Sequence, residues 1–314
     1  MVELKKYPHL FFFFLLLGAL AALPWLSSSY ALTWVFFLAV SITLALSYDI
    51  IGGYLGYINL GHATFFGLGA YITAVLLNRQ FGFALSLTLA IFFTALFAAI
   101  ISWPLFRLRG AYFALATFGM IRLIETLAIN LRKLTGGTGG LSTAPGDHLL
   151  SSYYLSLAAA MGTLFLCYRL TRSALGLALF TIRDDEEAAR SIGIPASSCK
   201  CLAFVISSVP ASLVGAIYIW NMTYISPAAV FGLEIALSPV VMAMLGGTGT
   251  LAGPLVGAVF LSLIQELLWT KLAFFHLSMY GIVFILLGLF MPGGLVRSRA
   301  WEKIAHSFHS ESKI

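Results

Sequence analysis

Charge is the scarcest ingredient of this chain. Only 12 Asp or Glu and 18 Lys or Arg occur among 314 residues, 10% of the total, against roughly 25% in soluble domains. That excludes an ordinary soluble fold. Cysteine is rarer still: Cys167, Cys199 and Cys201 are the three present. A Cys-x-Cys with no neighbouring His or second cysteine pair is a poor metal site, so these read as packing or surface residues and no metal is expected. The sequence also lacks any Gly-x-x-x-x-Gly-Lys-Ser/Thr run, which removes a phosphate cradle of the P-loop kind. Any ATP hydrolysis must belong to another subunit.

Hydrocarbon fills the space that charge leaves. The chain is 60% hydrophobic with a mean hydropathy of +0.96, and its apolar runs approach the roughly 17–25 residues that a ~30 Å hydrocarbon core requires. Ten such runs fall at 10–26, 30–47, 61–77, 84–106, 111–131, 150–168, 201–220, 233–245, 251–269 and 277–291. The expected fold is an all-α polytopic membrane protein of about ten transmembrane helices, eight at the lower bound because the eighth run is short enough for a re-entrant pair. Residues 1–314 then form one transmembrane domain, with no room for a separate soluble one.

Cytoplasmic loops retain an excess of Lys and Arg. With the N terminus inside, thirteen of the 18 basic residues fall on the cytoplasmic face and four (Arg79, Arg132, Lys133, Lys271) outside, while Arg122 sits within a span. Both termini are thus expected in the cytoplasm. The net charge of +6 is explained by these loops without nucleic-acid binding. Lys5 and Lys6 before the first apolar run also resemble a secretory signal, with 19–22 as a weak cleavage region; the charge tally works with that run retained as a span.

Six of the charged residues crowd into 183–190: Arg183, Asp184, Asp185, Glu186, Glu187 and Arg190. Acids leading, Ala188 and Ala189 in the middle, an arginine near the end and then Gly193 and Pro195 predict a short solvent-facing helix over 183–193, within a cytoplasmic loop over 169–200. Glycine clusters at Gly52, Gly53, Gly56, Gly61, Gly67 and Gly69, and again at Gly246, Gly247, Gly249, Gly253 and Gly257. Such spacing suits close helix packing, and paired interruptions in two halves also point to a translocation path. On the second reading the path residues are Asn59, Gly61, His62, Thr64, Gly246, Gly247 and Thr248. Arg122 and Glu125, at i and i+3, are expected to pair toward the protein interior. Asp49 and Glu266 lie near span ends, where hydration is cheap.

Three runs carry a resemblance: 61–71 (Gly-His-Ala-Thr-Phe-Phe-Gly-Leu-Gly-Ala-Tyr), 108–114 (Leu-Arg-Gly-Ala-Tyr-Phe-Ala) and 134–141 (Leu-Thr-Gly-Gly-Thr-Gly-Gly-Leu). In this order they resemble the M-type permease of branched-chain amino acid ABC importers. The likeness continues through 182–194, Leu202-Ala203-Phe204 with Gly215-Ala216, 246–254, and Tyr280-Gly281 with 292–295. Pro210 and Ser212 depart from it, standing where the family is rich in Ala and Gly. The resemblance implies a type II ABC importer permease in a prokaryotic inner membrane, working with a homologous H-type permease, two cytoplasmic ATPases that bind ATP-Mg, and an external solute-binding protein. This chain would hold no cofactor. The 183–193 helix becomes a cytoplasmic coupling helix docking on the ATPase through Arg183, Asp185, Glu186, Glu187, Ala188, Ala189 and Gly193. The implied solutes are Leu, Ile and Val, with urea or short amides as the alternative. A zwitterion with an apolar side chain needs helix ends or hydroxyls for its charges and an aliphatic lining.

Two other classes fit fewer residues. An ion-coupled carrier needs an ionisable group deep in a span, for which only Arg122 and Glu125 offer themselves. A membrane enzyme holding Mg²⁺ through Asp184, Asp185, Glu186 and Glu187 would lack a second acidic cluster.

Overall fold

The computed structural model describes residues 28–271 together with the isolated positions 24 and 282. The expected spans over 10–26 and 277–291 fall outside the described residues. In chain order the helices are α1 (Ser29–Asp49), continued by a π turn (Ile50–Tyr54), α2 (His62–Asn78), α3 (Phe83–Leu105), α4 (Ala111–Asn130), the single turn α5 (Arg132–Thr135), α6 (Leu149–Thr171), α7 (Ala174–Asp184), α8 (Glu186–Ser191), α9 (Ala196–Met222), α10 (Pro227–Phe231), α11 (Leu233–Gly246) and α12 (Ala252–Lys271). Among the described residues, six helical stretches are long and apolar enough to cross a membrane, and the helices His62–Asn78 and Ala252–Leu267 are apolar but shorter.

Sequence decides which faces pack. Apolar on all sides, α1 is buried without interruption from Thr43 to Ile51, as an all-round hydrophobic helix should be, and packs against α6, α9, α11 and α12. By contrast α3 buries mainly a four-residue repeat of small side chains, Ser86, Ala90, Thr94, Ala98 and Ser102, and exposes Phe92, Ile100 and Trp103. Its stripe receives α9, where the Ser212 hydroxyl donates to Thr94 Oγ1 at 3.0 Å. On α2, a Cβ at Gly69 would lie 2.2 Å from the Ser212 carbonyl oxygen, and one at Gly215 of α9 would lie 2.0 Å from that of Phe66. Small residues let these two helices meet backbone to backbone.

The loops gather at two ends. At one, Arg109, Tyr57 and Lys200 surround Glu186 and Gly249 meets Asp49. At the other, two short strands, β1 (Leu141–Ser142) and β2 (Tyr224–Ile225), pair antiparallel with Leu141 opposite Ile225. Asn78 donates to the Ser142 carbonyl at 2.9 Å, and His148 stacks on Trp220 with ring centroids 3.8 Å apart.

Candidate functional site

The charged segment is two helices rather than the single one expected over 183–193. Asp185 takes an extended backbone (φ −156°, ψ 111°), and its Oδ1 accepts from the amides of Glu187 at 2.8 Å and Ala188 at 3.0 Å. An aspartate that caps a new helix ends the old one, so Arg183 and Asp184 belong to α7 and the remainder to α8. Gly193, with φ +88°, follows the end of α8 in the left-handed region that glycine tolerates.

Glu186 turns inward. Its carboxylate accepts from Lys200 Nζ at 2.7 Å, from the Tyr57 hydroxyl at 3.1 Å and from Arg190 at 2.5 Å, with Arg109 at 3.9 Å. Lys200 also donates to the Tyr57 hydroxyl at 2.9 Å, with its own side chain only 2% exposed. Burial pushes the Glu186 carboxyl up, but the Lys200 hydrogen bond and charge, the Tyr57 hydrogen bond and the Arg109 charge outweigh it and hold the group below the usual carboxylate range. Ala189 is fully buried in this chain's own core. Neither residue therefore faces outward, and the exposed face of the segment is made by Glu187, Ala188 and Ile192. Ile192 is 73% exposed; as a lone aliphatic after a charged run it gave no signal in the sequence.

Arg183 points the other way, into the helix bundle. Its Nη1 donates to the Gly53 carbonyl in the π turn. Beside that bond the fully buried Asp49 accepts the Gly249 amide through both carboxylate oxygens, at 3.1 and 3.0 Å. Proximity to a span end thus brings Asp49 a backbone partner instead of hydration. A Cβ at Gly53 would lie 2.1 Å from Asp49 Oδ1 and 2.4 Å from the Gly249 nitrogen, and Gly249 itself has φ +81°. The two glycine clusters, some two hundred residues apart in sequence, meet here, with the cytoplasm-assigned segment bonded directly to the junction.

The residues expected along a path are placed less simply. A Cβ at Gly61 would lie 2.7 Å from the Thr117 carbonyl oxygen, and one at Gly246 would lie 1.6 Å from that of Gly253, so both glycines serve close backbone approach. Gly247 has φ +114°. His62 Nε2 shares a hydrogen bond of 2.8 Å with the Ser47 hydroxyl, and Asn59 Oδ1 accepts from the Gly61 amide at 2.9 Å. Thr64 is buried and Thr248 half-buried. Arg122 and Glu125 do pair, at 2.5 Å, but the Arg122 side chain is 46% exposed, so the pair lies on the outer face of α4 and not in the interior.

A cavity of about 560 Å³ opens elsewhere, between α1, α9, α11 and α12, and none of the seven expected path residues lines it. Its apolar wall is Trp34, Phe37, Leu44, Phe66, Tyr218 and Met242; its polar groups include Ser41, Glu234, Ser238, Ser262, Gln265 and Glu266. These positions run from the ends of the helices opposite the Asp49–Gly249 junction to about mid-helix. Tyr30 donates its hydroxyl to Glu266. Among the described residues no three His, Cys, Asp or Glu side chains gather to hold a metal ion, and the acidic run is divided among capping, ion pairing and solvent.

The family described as "Branched-chain amino acid transport system / permease component" matches residues 30–291. The chain is 28% identical to the high-affinity branched-chain amino acid transport system permease protein LivM of Salmonella typhimurium, over 82% of this chain and 68% of that protein. LivM of Escherichia coli matches at the same identity and coverage. The autoinducer 2 import system permease protein LsrC of Yersinia pseudotuberculosis is 27% identical over 64% of this chain and 59% of its own length. No solved structure matches.

Proposed function

The chain belongs to the branched-chain amino acid transport permease family, a membrane-spanning transport component and not an enzyme, and from that membership we propose that it is the M-type subunit of an ABC importer for Leu, Ile and Val in a prokaryotic inner membrane. It pairs with an H-type permease and receives solute from an external binding protein. Two ATPases drive alternating access. The observation that carries this reading is the Arg183 bond to Gly53 beside the Asp49–Gly249 junction. A push on α7 and α8 reaches, without a relay, the turn that joins α1 to the α11–α12 loop, so a rigid-body rocking of these helices follows from partner closure. An arginine exposed in the middle of a spanning helix, as Arg122 is on α4, needs cover at membrane depth, which a second permease supplies. The likeness to LsrC leaves room for a different small solute. ATP-dependent uptake of L-leucine by the complex reconstituted with its partners tests the assignment; uptake of urea in its place moves the chain to the short-amide reading.

Docking on the ATPase is assigned to the exposed face of α8 and its C-terminal end. Replacing Ile192 with Asp should weaken co-purification of the ATPase at least about tenfold, because truncating a central apolar anchor commonly removes 2 kcal/mol or more. The membrane subunit's own thermal stability should hold, since Ile192 is 73% exposed. Normal co-purification would move the docking face elsewhere.

The orientation is testable in intact cells. An impermeant maleimide added outside should label Ala144→Cys, at an exposed position beside β1, and leave Cys199 and Cys201 unlabelled until the membrane is opened. The reverse pattern would invert the topology.

A further inference from the structure

The cavity between α1, α9, α11 and α12 has an uneven chemistry. Two carboxylates, Glu234 and Glu266, line it, and no Lys or Arg does so among the described residues. The rest of its wall is largely aromatic and aliphatic. A carboxylate at membrane depth faces a water-filled space or a partner charge, and apolar pockets with a few convergent polar groups are the usual form of small-molecule sites. A second observation points the same way: Ser262, in the wall one helical turn from Glu266, is buried with its hydroxyl unpartnered. A buried hydroxyl left without a partner is unfavourable, and a polar occupant would satisfy it.

Resting on the permease reading above, we infer that this cavity is a solute vestibule selective for a primary ammonium group joined to an apolar body, the ammonium meeting Glu234 and Glu266 and the body lying against Trp34, Phe37 and Tyr218. Serine hydroxyls at 41, 238 and 262 remain for a carboxylate or carbonyl on the same solute. A neutral polyol or urea offers no charge to the glutamates and little to the aromatic wall. The cavity chemistry therefore separates amino-acid import from import of uncharged solutes, a distinction that similarity to two kinds of permease does not make.

The test uses the complete transporter in proteoliposomes, with Ser41→Cys as a reporter in a Cys199→Ser, Cys201→Ser background. The rate of maleimide modification at position 41 is measured with L-leucinamide, which has an ammonium and no carboxylate, with the neutral 4-methylpentanamide, and with ribose. L-Leucinamide should slow modification at least tenfold, the other two should not, and Glu266→Gln or Glu234→Gln should remove the protection. Equal protection by the neutral amide, or none by any compound, overturns the inference. If modification blocks L-leucine uptake without any ammonium preference, the cavity lies on the route and only the selectivity falls. If no solute is taken up in response to ATP, the permease reading itself falls. Should the reporter variant fail to assemble, Glu234→Gln alone decides: at an exposed first-turn position, it should lower L-leucine uptake per assembled complex about tenfold, and unchanged uptake overturns the inference.

Discussion

Lys200→Met is expected to cause the largest loss of stability of any single change considered, about 3 kcal/mol. Its ammonium lies 2.7 Å from Glu186, whose side chain is only 11% exposed, and removing one partner of a buried ion pair strands the other charge, which typically costs 3–5 kcal/mol. The low end applies because Arg190 and Tyr57 still contact the carboxylate. Thermal unfolding of the purified subunit measures the loss. The double variant Lys200→Met, Glu186→Met should be more stable than Lys200→Met alone, since no uncompensated charge remains; a loss equal to the sum of the single losses would show the pair uncoupled. The pH dependence has a definite sign. Because the folded state holds the Glu186 carboxyl below its usual range, its contribution is complete above about pH 4.3, the ordinary value, and is lost as pH falls through the lower folded value. Glu186→Gln should lack that part of the acid sensitivity.

The largest loss of transport is expected from Asp49→Ala. The substitution removes both acceptors of the Gly249 amide and leaves that N–H unpaired at a closely packed junction. Hydrogen bonds to charged groups contribute about 1.5–3 kcal/mol each, so the junction should become on the order of a hundredfold less populated. Uptake per assembled complex should fall accordingly, while basal ATP hydrolysis by the partners continues, because the ATPase-facing side of α8 is untouched. Arg183→Ala should give the same uncoupled phenotype in weaker form, since it loses one bond to a carbonyl and keeps the Asp49 contact. Normal uptake in Asp49→Ala would break the proposed link between the charged segment and the helices around the cavity.

The helices were legible in the sequence because hydrocarbon length is a one-dimensional property: the described helices from α1 to α12 coincide with eight of the apolar runs to within a few residues at most ends. The permease family was legible too, through ordered motifs that survive without knowledge of their contacts. What the sequence hid depends on rotation and on distant partners. Ala188 and Ala189 are adjacent, yet one helical step of about 100° exposes the first and buries the second. Lys200 looks like one more cytoplasmic cation until folding sets it against Glu186. The break at Asp185 follows from a competition between capping and continuation that composition alone leaves undecided. The glycine clusters were read as path or packing; most of them pack, and the open space lies between helices whose facing positions, such as Ser41 and Glu266, carry no common sequence mark.

The π turn at Ile50–Tyr54 has a further implication for how the chain tolerates changes of length. A turn bonded i to i+5 lodges roughly one residue more than an α turn, and it sits where α1 hands over to the Gly53 carbonyl. Removing a single residue from 50–52 would let the turn relax to ordinary α geometry with its hydrogen bonding intact, while rotating Gly53 away from Arg183 by about a quarter of a turn. One extra residue thus works as a phase adjuster. It sets the angle between the helix that walls the cavity and the contact that answers to the ATPase, so a one-residue deletion there would leave a well-formed helix pointing its handle in the wrong direction.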